Sequence, residues 1–446
     1  MDKLRGNIIA GLTETLSRLY GADAVESQSA RYAAVARLFE EEFGENIGEL
    51  SLGEPRVFRA PGRIEIGGNH TDHQHGKVLA AAIDRDVIAV AAASEDNAVR
   101  IYSEGFGWIE TDLDGVGNMT GGSAGNLVGG IAAPNKTDAF APGTAEALVY
   151  GVAAEMRKRG YEIGGFRAYA SSNVPEGAGL SSSAAFAMLI GEILNGLYND
   201  GTVPAEELAH MAQTAENDYY GKPCGLMDQM AIATGGLCKI DFADPTAPVV
   251  EKLDVDFGSM GYSLCVTDTH GSHAEYTDDY AAVQSDLAAA AGVFGKDVLE
   301  NVTLDEVIGH ASMIREAGGD RAFLRAMHVA SENARVVEEA EALKRGDMPS
   351  FLDLVRRSGD SSYKLLQNVH VDRTPERQEV AVALAISEAV LGDGACRVHG
   401  GGFAGTILAF VPETDVERYQ TAMDEAFGAE SCYVIRICPE GGTEVM

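Results

Sequence analysis

The stretch Pro175 to Ala184 reads PEGAGLSSSA and lies between a predicted strand, Phe166 to Ser171, and an apolar helical pattern. Glycines allow the backbone to approach a ligand closely, and a helix N-terminus offers unpaired N–H groups with a partial positive charge. Phosphate oxygens bind at such a place without a lysine. An ordinary helix cap would need only one serine. The predicted phosphate-binding residues are Gly177, Gly179, Leu180, Ser181, Ser182 and Ser183.

The composition is that of a packed, acidic protein. Its 446 residues are too many for one ordinary core, and 46% of them are hydrophobic. The formal charge of −34, with no run of Lys or Arg, argues against nucleic acid or an anionic membrane as a partner, and no protein partner is implied. Six cysteines without metal-binding spacing indicate reduced thiols. We therefore expect a cytoplasmic protein.

The order of predicted elements suggests two domains. Leu4, Ile8, Leu12, Leu16 and Leu19 share one face of an N-terminal amphipathic helix. The segments VLAAAI and DVIAVAAA look like paired strands, and the second half is mostly helical with three strand-like pieces at its end. Prolines interrupt the pattern near residues 244–249. We predict domains over residues 1–245 and 246–446.

Two carboxylates follow the phosphate-binding stretch. Glu216 and Asp228 lie in AENDYYGKPCGLMDQ, near a helix end and a Gly-Cys loop. Beside bound phosphates, one carboxylate suits a Mg²⁺ ligand and the other a base, because Mg²⁺ prefers oxygen ligands. A glutamate on a helix is usually only solvated. Asp228 is flanked by apolar residues, where an unpaired carboxylate is costly.

Two further stretches concentrate polar or glycine residues. APGRIEIGGNHTD, Ala60 to Asp72, gathers an Arg, an Asn, a His and an Asp around Gly-containing bends. RVHGGGFAG, residues 397–405, places three glycines after a strand, which suits a close approach by another backbone or by a phosphate. A glycine-rich hairpin would explain the second stretch equally well.

Four stretches in this order, APGRIEIGGNHTDH, PEGAGLSSSA, GKPCGLMDQ and HGGGFAG, resemble the galactokinase branch of the GHMP small-molecule kinases. The resemblance covers nearly the whole chain from about residue 30. It implies a two-domain α+β fold. The N-terminal domain would be like domain 2 of ribosomal protein S5, the C-terminal domain would be ferredoxin-like, and the active site would lie in the cleft between them.

The resemblance also implies roles for individual residues. Asp228 would be the base facing the anomeric hydroxyl of the sugar, and Arg63 would stabilise the transferring phosphoryl group. Ser183 and Glu216 would hold Mg²⁺. The positions expected to contact the sugar are Asn69, His70, Asp72, Gly225 and Tyr276.

Three departures of the chain from the family pattern GRVNLIGEHTDY involve polar side chains. Glu65 replaces the Asn, Asn69 replaces the Glu, and His73 replaces the Tyr. The Trp-containing segment for adenine is missing, and the single Trp108 lies elsewhere. Asn69 is expected to face the C6 hydroxyl and to alter what the site tolerates there.

The sequence thus predicts an ATP- and Mg²⁺-dependent sugar 1-kinase for galactose or a related galacto-configured sugar. Other sugars considered are galacturonate, L-arabinose, fucose and N-acetylgalactosamine. A non-catalytic sugar and ATP sensor would show damage in the Gly/Ser loop or at Asp228, and none is present. A kinase for a mevalonate-type alcohol is disfavoured by the polar NHTD cluster, because hydroxyl-rich ligands need such groups.

Overall fold

Two β-sheets, each covered by helices, organise the chain in the computed structural model. The structure describes residues 12–44, 53–114, 116, 140–175, 177–271, 276–371 and 373–446. This arrangement confirms the predicted α+β class. None of the described helices combines the length and apolar character needed to cross a membrane.

The larger sheet has eight strands, and its central strand is unusually long. The strands are β1 (Arg56–Gly67), β2 (Lys77–Ala93), β3 (Ala98–Ser103), β4 (Gly107–Asp112), β5 (Phe166–Ser172), β6 (Leu237–Asp241), β7 (Val249–Leu253) and β12 (Thr443–Glu444). Their order is β12-β1-β2-β5-β3-β4, and β6 pairs with both β2 and β7. Only the β3–β5 pair is parallel among these described strands.

Helices cover both faces of this sheet. Residues 12–20 form helix α1, which is followed by α2 (Val25–Phe43), α3 (Ala145–Lys158), α4 (Ser182–Asn199), α5 (Ala205–Thr214) and α6 (Met227–Thr234). Helices α1 and α2 pack on one face, where Leu12, Leu16 and Leu19 are buried as predicted. Leu4 and Ile8 lie outside the described residues. Helices α3 to α6 pack on the other face in the main apolar cluster.

The second sheet has four antiparallel strands in the order β11-β8-β10-β9. Its strands are β8 (Tyr262–Asp268), β9 (Ala395–Val398), β10 (Thr406–Pro412) and β11 (Cys432–Ile435). The helices of this part are α7 (Thr277–Val293), α8 (Leu304–Gly309), α9 (Ala311–Lys344), α10 (Met348–Ser361), α11 (Glu379–Val390) and α12 (Val416–Phe427). Phe351 of α10 packs against Phe410 of β10, with ring centroids 5.0 Å apart, and both belong to the main apolar cluster.

The predicted strand pair within β2 was wrong, because VLAAAIDRDVIAVAAA forms one continuous strand. The Asp-Arg-Asp centre needs no exposed turn, since its two aspartates find polar partners inside the protein. Asp84 N–H donates to Arg436 O at 3.0 Å, and Asp86 N–H donates to Asn173 Oδ1 at 2.6 Å. The Asp86 carboxylate pairs with Arg31 at 2.6 Å and Arg59 at 2.8 Å.

The sequence predicts separate helices over Leu304 to Ala317 and Arg321 to Arg345, and the break between them is confirmed at Gly319 within α9, where φ is 82°. The first of these predicted helices is further divided between α8 and α9. Helix α12 and strands β3, β4 and β7 lacked a clear sequence signal. Strand β7 follows the proposed domain boundary at residue 245 but pairs with β6 of the larger sheet, and β12 returns to β1. The division at residue 245 stays a prediction.

Candidate active site

Arg63 joins the phosphate-binding stretch to the predicted base. It lies in β1 beside a register shift between Pro61 and Arg63. Its Nε donates to Asp228 Oδ1 at 2.7 Å, and its Nη1 donates to Gly179 O at 2.6 Å. Its backbone N–H donates to Leu180 O at 3.1 Å. Three stretches that are far apart in the sequence therefore meet at one guanidinium.

Gly62 permits this close approach of β1 to the phosphate-binding stretch. A Cβ added at Gly62 would lie 2.9 Å from Leu180 O and 3.3 Å from the Val174 side chain. Such contacts are too tight for a rigid backbone neighbour. The glycine before Arg63 therefore has a packing role that the sequence alone did not reveal.

Asp228 is held as a carboxylate in the first turn of α6. Burial tends to raise the pKa of Asp228, but the Arg63 guanidinium, the charge of Lys222 and the Ser181 hydroxyl together outweigh burial, and the pKa lies below its ordinary value. The Ser181 hydroxyl donates to its second oxygen. Asp228 is thus ionised at neutral pH, and each of its oxygens keeps a lone pair for another donor.

The phosphate-binding stretch turns sharply before α4. Gly177 and Gly179 have φ values of 72° and 65°, and Ser181 also has a positive φ of 62°. Ser181 precedes α4 but forms no side-chain cap hydrogen bond. Its hydroxyl binds Asp228 instead, so the ordinary cap interpretation does not describe this serine. The uncapped N-terminus of α4 leaves first-turn N–H groups that suit phosphate oxygens.

Ser183 and Glu216 form a second oxygen pair next to the base. Ser183 Oγ donates to Glu216 Oε1 at 2.6 Å, and Gln229 donates to the other carboxylate oxygen. Glu216 is fully buried in a wide helical turn, residues 215–220, that extends α5. Such wide turns are frequent at functional sites.

The Lys222 ammonium completes this pair in the structure. Its Nζ lies 3.0 Å from Ser183 Oγ and 3.3 Å from Glu216 Oε1. Burial tends to lower the pKa of Lys222, but the charges of Glu216 and Asp228 outweigh burial and raise it. The Ser183–Glu216 pair therefore already holds a positive charge, as a metal site would.

Asn69 lies in the interior, and the predicted contact with a sugar hydroxyl conflicts with its position. Its Nδ2 donates to Glu65 Oε1 at 3.0 Å and to Gly400 O. Its Oδ1 accepts from Asn368 Nδ2 at 2.8 Å and from Ser362 Oγ at 3.3 Å. The amide can make four hydrogen bonds, and protein atoms supply all four. Asn69 is fully buried, so it holds the loop in place.

His70 is also bound on both ring nitrogens. Its Nε2 lies 2.9 Å from Gly401 O, which can only accept, so Nε2 carries the proton. Its Nδ1 lies 3.0 Å from His73 Nε2, and burial lowers the pKa of His70 to about 3. A neutral His70 must accept at Nδ1, so His73 donates to it. Gln74 Nε2 lies 3.1 Å from His73 Nδ1 and donates there. The arrangement fixes one tautomer for each ring.

The other predicted sugar positions are Asp72, Gly225 and Tyr276. A Cβ added at Gly225 would lie 1.8 Å from Asp72 Oδ2. Any larger residue at position 225 would therefore displace this carboxylate. Tyr276 is buried, and within the described part of the chain its hydroxyl has no hydrogen-bond partner. A buried hydroxyl without a partner is costly, which favours a polar ligand group there.

The triple glycine of residues 400–402 connects the two halves of the chain. The carbonyls of Gly400 and Gly401 accept from Asn69 and His70, and Gly402 O accepts from Tyr280 Oη at 2.6 Å. A Cβ at Gly402 would lie 2.1 Å from Asn368 O. The glycines therefore serve close backbone approach, one of the two uses considered from sequence.

Family models and sequence relatives match this chain. The description "GHMP kinases N terminal domain" matches residues 147–236, and "Galactokinase galactose-binding signature" matches residues 37–93. A galactokinase of Streptomyces coelicolor is 29% identical over 395 residues, which cover 88% of this chain and 94% of the relative. A galactokinase of Lactococcus lactis is 29% identical over 395 residues, covering 87% and 90%.

Solved structures extend the match to the fold. The crystal structure of Lactococcus lactis galactokinase complexed with galactose superposes with a TM-score of 0.74 at 26% identity, covering 92% of this chain and 100% of that one. This chain is a galactokinase-like GHMP kinase. Methanococcus jannaschii mevalonate kinase, at 14% identity and a TM-score of 0.57, covers 86% of this chain and 99% of its own and shares the fold alone.

Sequence reasoning missed several residues of this galactokinase-like kinase. Lys222 lies inside the quoted motif GKPCGLMDQ, but a single exposed lysine carries no signal of its own. His328 and Glu332 of α9 bind the loop of residues 68–76, here called the sugar loop: His328 Nε2 lies 3.0 Å from Asn69 O, and Gly68 N–H donates to Glu332 Oε1 at 3.2 Å. They lie about 260 residues from that loop in sequence, so only the fold brings them together.

Proposed function

We propose that this chain transfers the γ-phosphoryl group of ATP to the anomeric hydroxyl of D-galactose or a closely related galacto-configured sugar. The observation that carries the proposal is the Arg63 guanidinium. It binds both the carboxylate of Asp228 and the carbonyl of Gly179 in the phosphate-binding stretch. A base and a phosphate site held by one cation suit phosphoryl transfer, which depends mainly on positioning and charge neutralisation.

Each residue has a defined task in this proposal. The ionised Asp228 accepts the proton of the anomeric hydroxyl as the bond to phosphorus forms. Arg63 keeps Asp228 ionised, and its remaining N–H donors offset charge on the transferring group. The loop of residues 177–183 and the N-terminus of α4 hold the phosphates. Asp72 and Tyr276 contact the sugar.

The donor set at Ser183 and Glu216 fits Mg²⁺. The ion prefers oxygen ligands and takes few of them from protein when phosphates and water supply the rest. The described residues contain no cluster of three His, Cys, Asp or Glu side chains that could hold a metal. One carboxylate and one hydroxyl, already paired with an ammonium group, agree with such a sparse site. Bound there, Mg²⁺ would neutralise charge on the nucleotide phosphates.

A panel of monosaccharides tests the proposed function. Coupled ADP release would be measured with galactose, galacturonate, fucose, L-arabinose, N-acetylgalactosamine, glucose and mevalonate at equal concentration. We expect the highest kcat/KM with galactose or another galacto-configured sugar. Turnover confined to mevalonate, or to glucose, would contradict the proposal.

A further inference from the structure

Lys222 is the charged residue of the site to which the proposed function gives no task. Its ammonium group lies on the two atoms proposed to hold Mg²⁺, at 3.0 Å from Ser183 Oγ and 3.3 Å from Glu216 Oε1. The Glu216 side chain is fully buried, whereas 48% of the Lys222 side chain is exposed. The ammonium therefore neutralises a buried carboxylate from a position that it can leave toward solvent.

Lys222 cannot stay there once a divalent cation is bound. Mg²⁺ binds oxygen at about 2.0–2.1 Å, and the ammonium nitrogen already lies 3.3 Å from Glu216 Oε1. Two cations on the same oxygen would repel strongly, because the site is largely shielded from water. The lysine side chain must therefore move when metal and nucleotide enter.

The backbone of Lys222 is fixed, so only its side chain moves. Its N–H donates to Glu216 O at 2.9 Å, which closes the wide turn of residues 215–220. The four-carbon stem is flexible and ends in three donors. Its reach from this anchor includes Asp228 on one side and the loop of residues 177–183 on the other.

The phosphates of the nucleotide are the better destination of the two. The charge of Asp228 is already balanced by the Arg63 guanidinium at 2.7 Å, so a second cation gains little there. Nucleotide phosphates would bring new negative charge to the loop beside Ser183 at the moment when the ammonium loses Glu216. Ammonium groups bind phosphate as compact point charges.

We propose that Lys222 is a phosphate-contacting catalytic residue, which lies on the Ser183–Glu216 pair in the nucleotide-free chain and on the β- and γ-phosphate oxygens during transfer. The proposal rests on the proposed phosphoryl transfer. No covalent change occurs at the lysine. Its charge offsets the negative charge that collects on the leaving ADP and on the transferring group.

Nucleotide binding without sugar tests the proposal independently of the substrate. Calorimetry with saturating Mg²⁺ would compare ATP and AMP on the parent and on Lys222→Met. We expect the ratio of ATP affinity to AMP affinity to fall about tenfold in Lys222→Met, the loss of one charge-assisted hydrogen bond. Lys222→Arg keeps the charge and should retain most of the ratio. Lys344→Met, which removes an ammonium bound to Glu251 and Glu341 far from the loop, is the matched control.

A second measurement tests whether Lys222 pairs with Glu216 in the nucleotide-free chain. In EDTA, Lys222→Met should unfold at a lower temperature than the parent, because Glu216 loses its cation, and Mg²⁺ with ADP should reduce the difference. An unchanged ratio of ATP to AMP affinity would overturn the proposal, as would an unfolding temperature in EDTA equal to that of the parent. Absence of sugar kinase activity in the parent would instead contradict the proposed function and leave both binding measurements valid.

Discussion

The phosphoryl-transfer half of the site, around Asp228 and Lys222, differs from the sugar loop in how many side-chain hydrogen bonds go to other protein atoms. Asp228 and Lys222 carry charge and keep part of their side chains exposed, 16% and 48%. Asn69 is fully buried, and all its hydrogen bonds go to protein atoms. Asp228 and Lys222 can therefore act on a ligand. Asn69 instead holds the loop that carries the sugar contacts.

The difference has a physical basis in charge. Opposite charges in the transfer half keep each other ionised, and charged oxygens retain lone pairs for substrate. The sugar loop instead packs against α9 and the triple glycine, where unpaired polar groups would be costly. A loop buried in this way holds its shape before any sugar arrives.

The largest expected effect lies in the transfer half. Asp228→Asn should lower kcat by ~10²–10⁴-fold, because the amide cannot accept the proton. ATP affinity should stay within a few-fold, since the phosphate-binding loop is untouched. Asp360→Asn, an exposed aspartate paired with Lys364, is the matched control. Turnover of Asp228→Asn within a few-fold of the parent would show that another group is the base.

In the sugar loop the larger effect should appear in stability. Asn69→Glu places a second carboxylate beside Glu65, whose Oε1 lies 3.0 Å from the Asn69 amide, and should lower the free energy of unfolding by about 2–4 kcal/mol. Urea unfolding at pH 7 measures this loss. The expectation that Asn69 alters what the site tolerates at C6 of the sugar has no support from the buried position of Asn69.

The reciprocal double variant gives a control for that prediction. Galactokinases usually carry Asn and Glu where this chain carries Glu65 and Asn69. Both arrangements contain one carboxylate and one amide, at exchanged positions. Glu65→Asn combined with Asn69→Glu should recover most of the lost stability, as expected for contacting residues. A double variant with the summed loss of both single variants would contradict a shared polar cluster.

The metal ligands should give a smaller, concentration-dependent effect. Glu216→Gln and Ser183→Ala should each raise the Mg²⁺ concentration at half-maximal activity about tenfold, because each change removes or weakens an oxygen ligand. Glu206→Gln, on the exposed side of α5, is the control. Equal half-saturation in parent and variants would remove Ser183 and Glu216 from the metal site and make Ser181 or Ser182 the next candidates.

The smallest effect concerns the pH dependence of the sugar loop. Burial holds the pKa of His70 at about 3, against 6.5 in an unfolded chain. Below pH 6.5 the unfolded chain binds a proton at His70 that the folded chain does not bind. The contribution of His70 to the free energy of unfolding is therefore complete above pH 6.5 and is lost as the pH falls. His73 and Arg325 face His70 and add to the shift.

A variant isolates this contribution from other groups. Burial raises the pKa of Glu339 to about 7, so its protonation stabilises the fold over part of the same range. His70→Gln keeps a donor toward Gly401 but does not titrate. Its deficit in unfolding free energy relative to the parent should shrink by about 1.4 kcal/mol per pH unit between pH 6.5 and 5. A constant deficit from pH 8 to 5 would mean that folding leaves the pKa of His70 unchanged.

The sequence allowed prediction of the parts of the site that lie in short, dense motifs. The phosphate-binding stretch follows from a local pattern and the roles of Asp228 and Arg63 from the family resemblance, and the structure brings these parts into direct contact. The burial of Asn69 was not predictable, because its partners Ser362, Asn368 and Gly400 come from the other end of the chain. Strand β2 was misjudged because Arg31 and Arg59, which neutralise Asp86, are also distant in sequence.

The position of the phosphate on the product sugar tests most directly whether Asp228 and Arg63 act on the anomeric hydroxyl. The parent would be incubated with ATP, Mg²⁺ and galactose, and the product examined by phosphorus and proton NMR. We predict a single sugar phosphate whose phosphorus couples to the proton on C1, formed at least ~10²-fold more slowly by Asp228→Asn. A phosphate on C6 or on any other carbon, or ATP consumed at the same rate without sugar, would contradict the assignment.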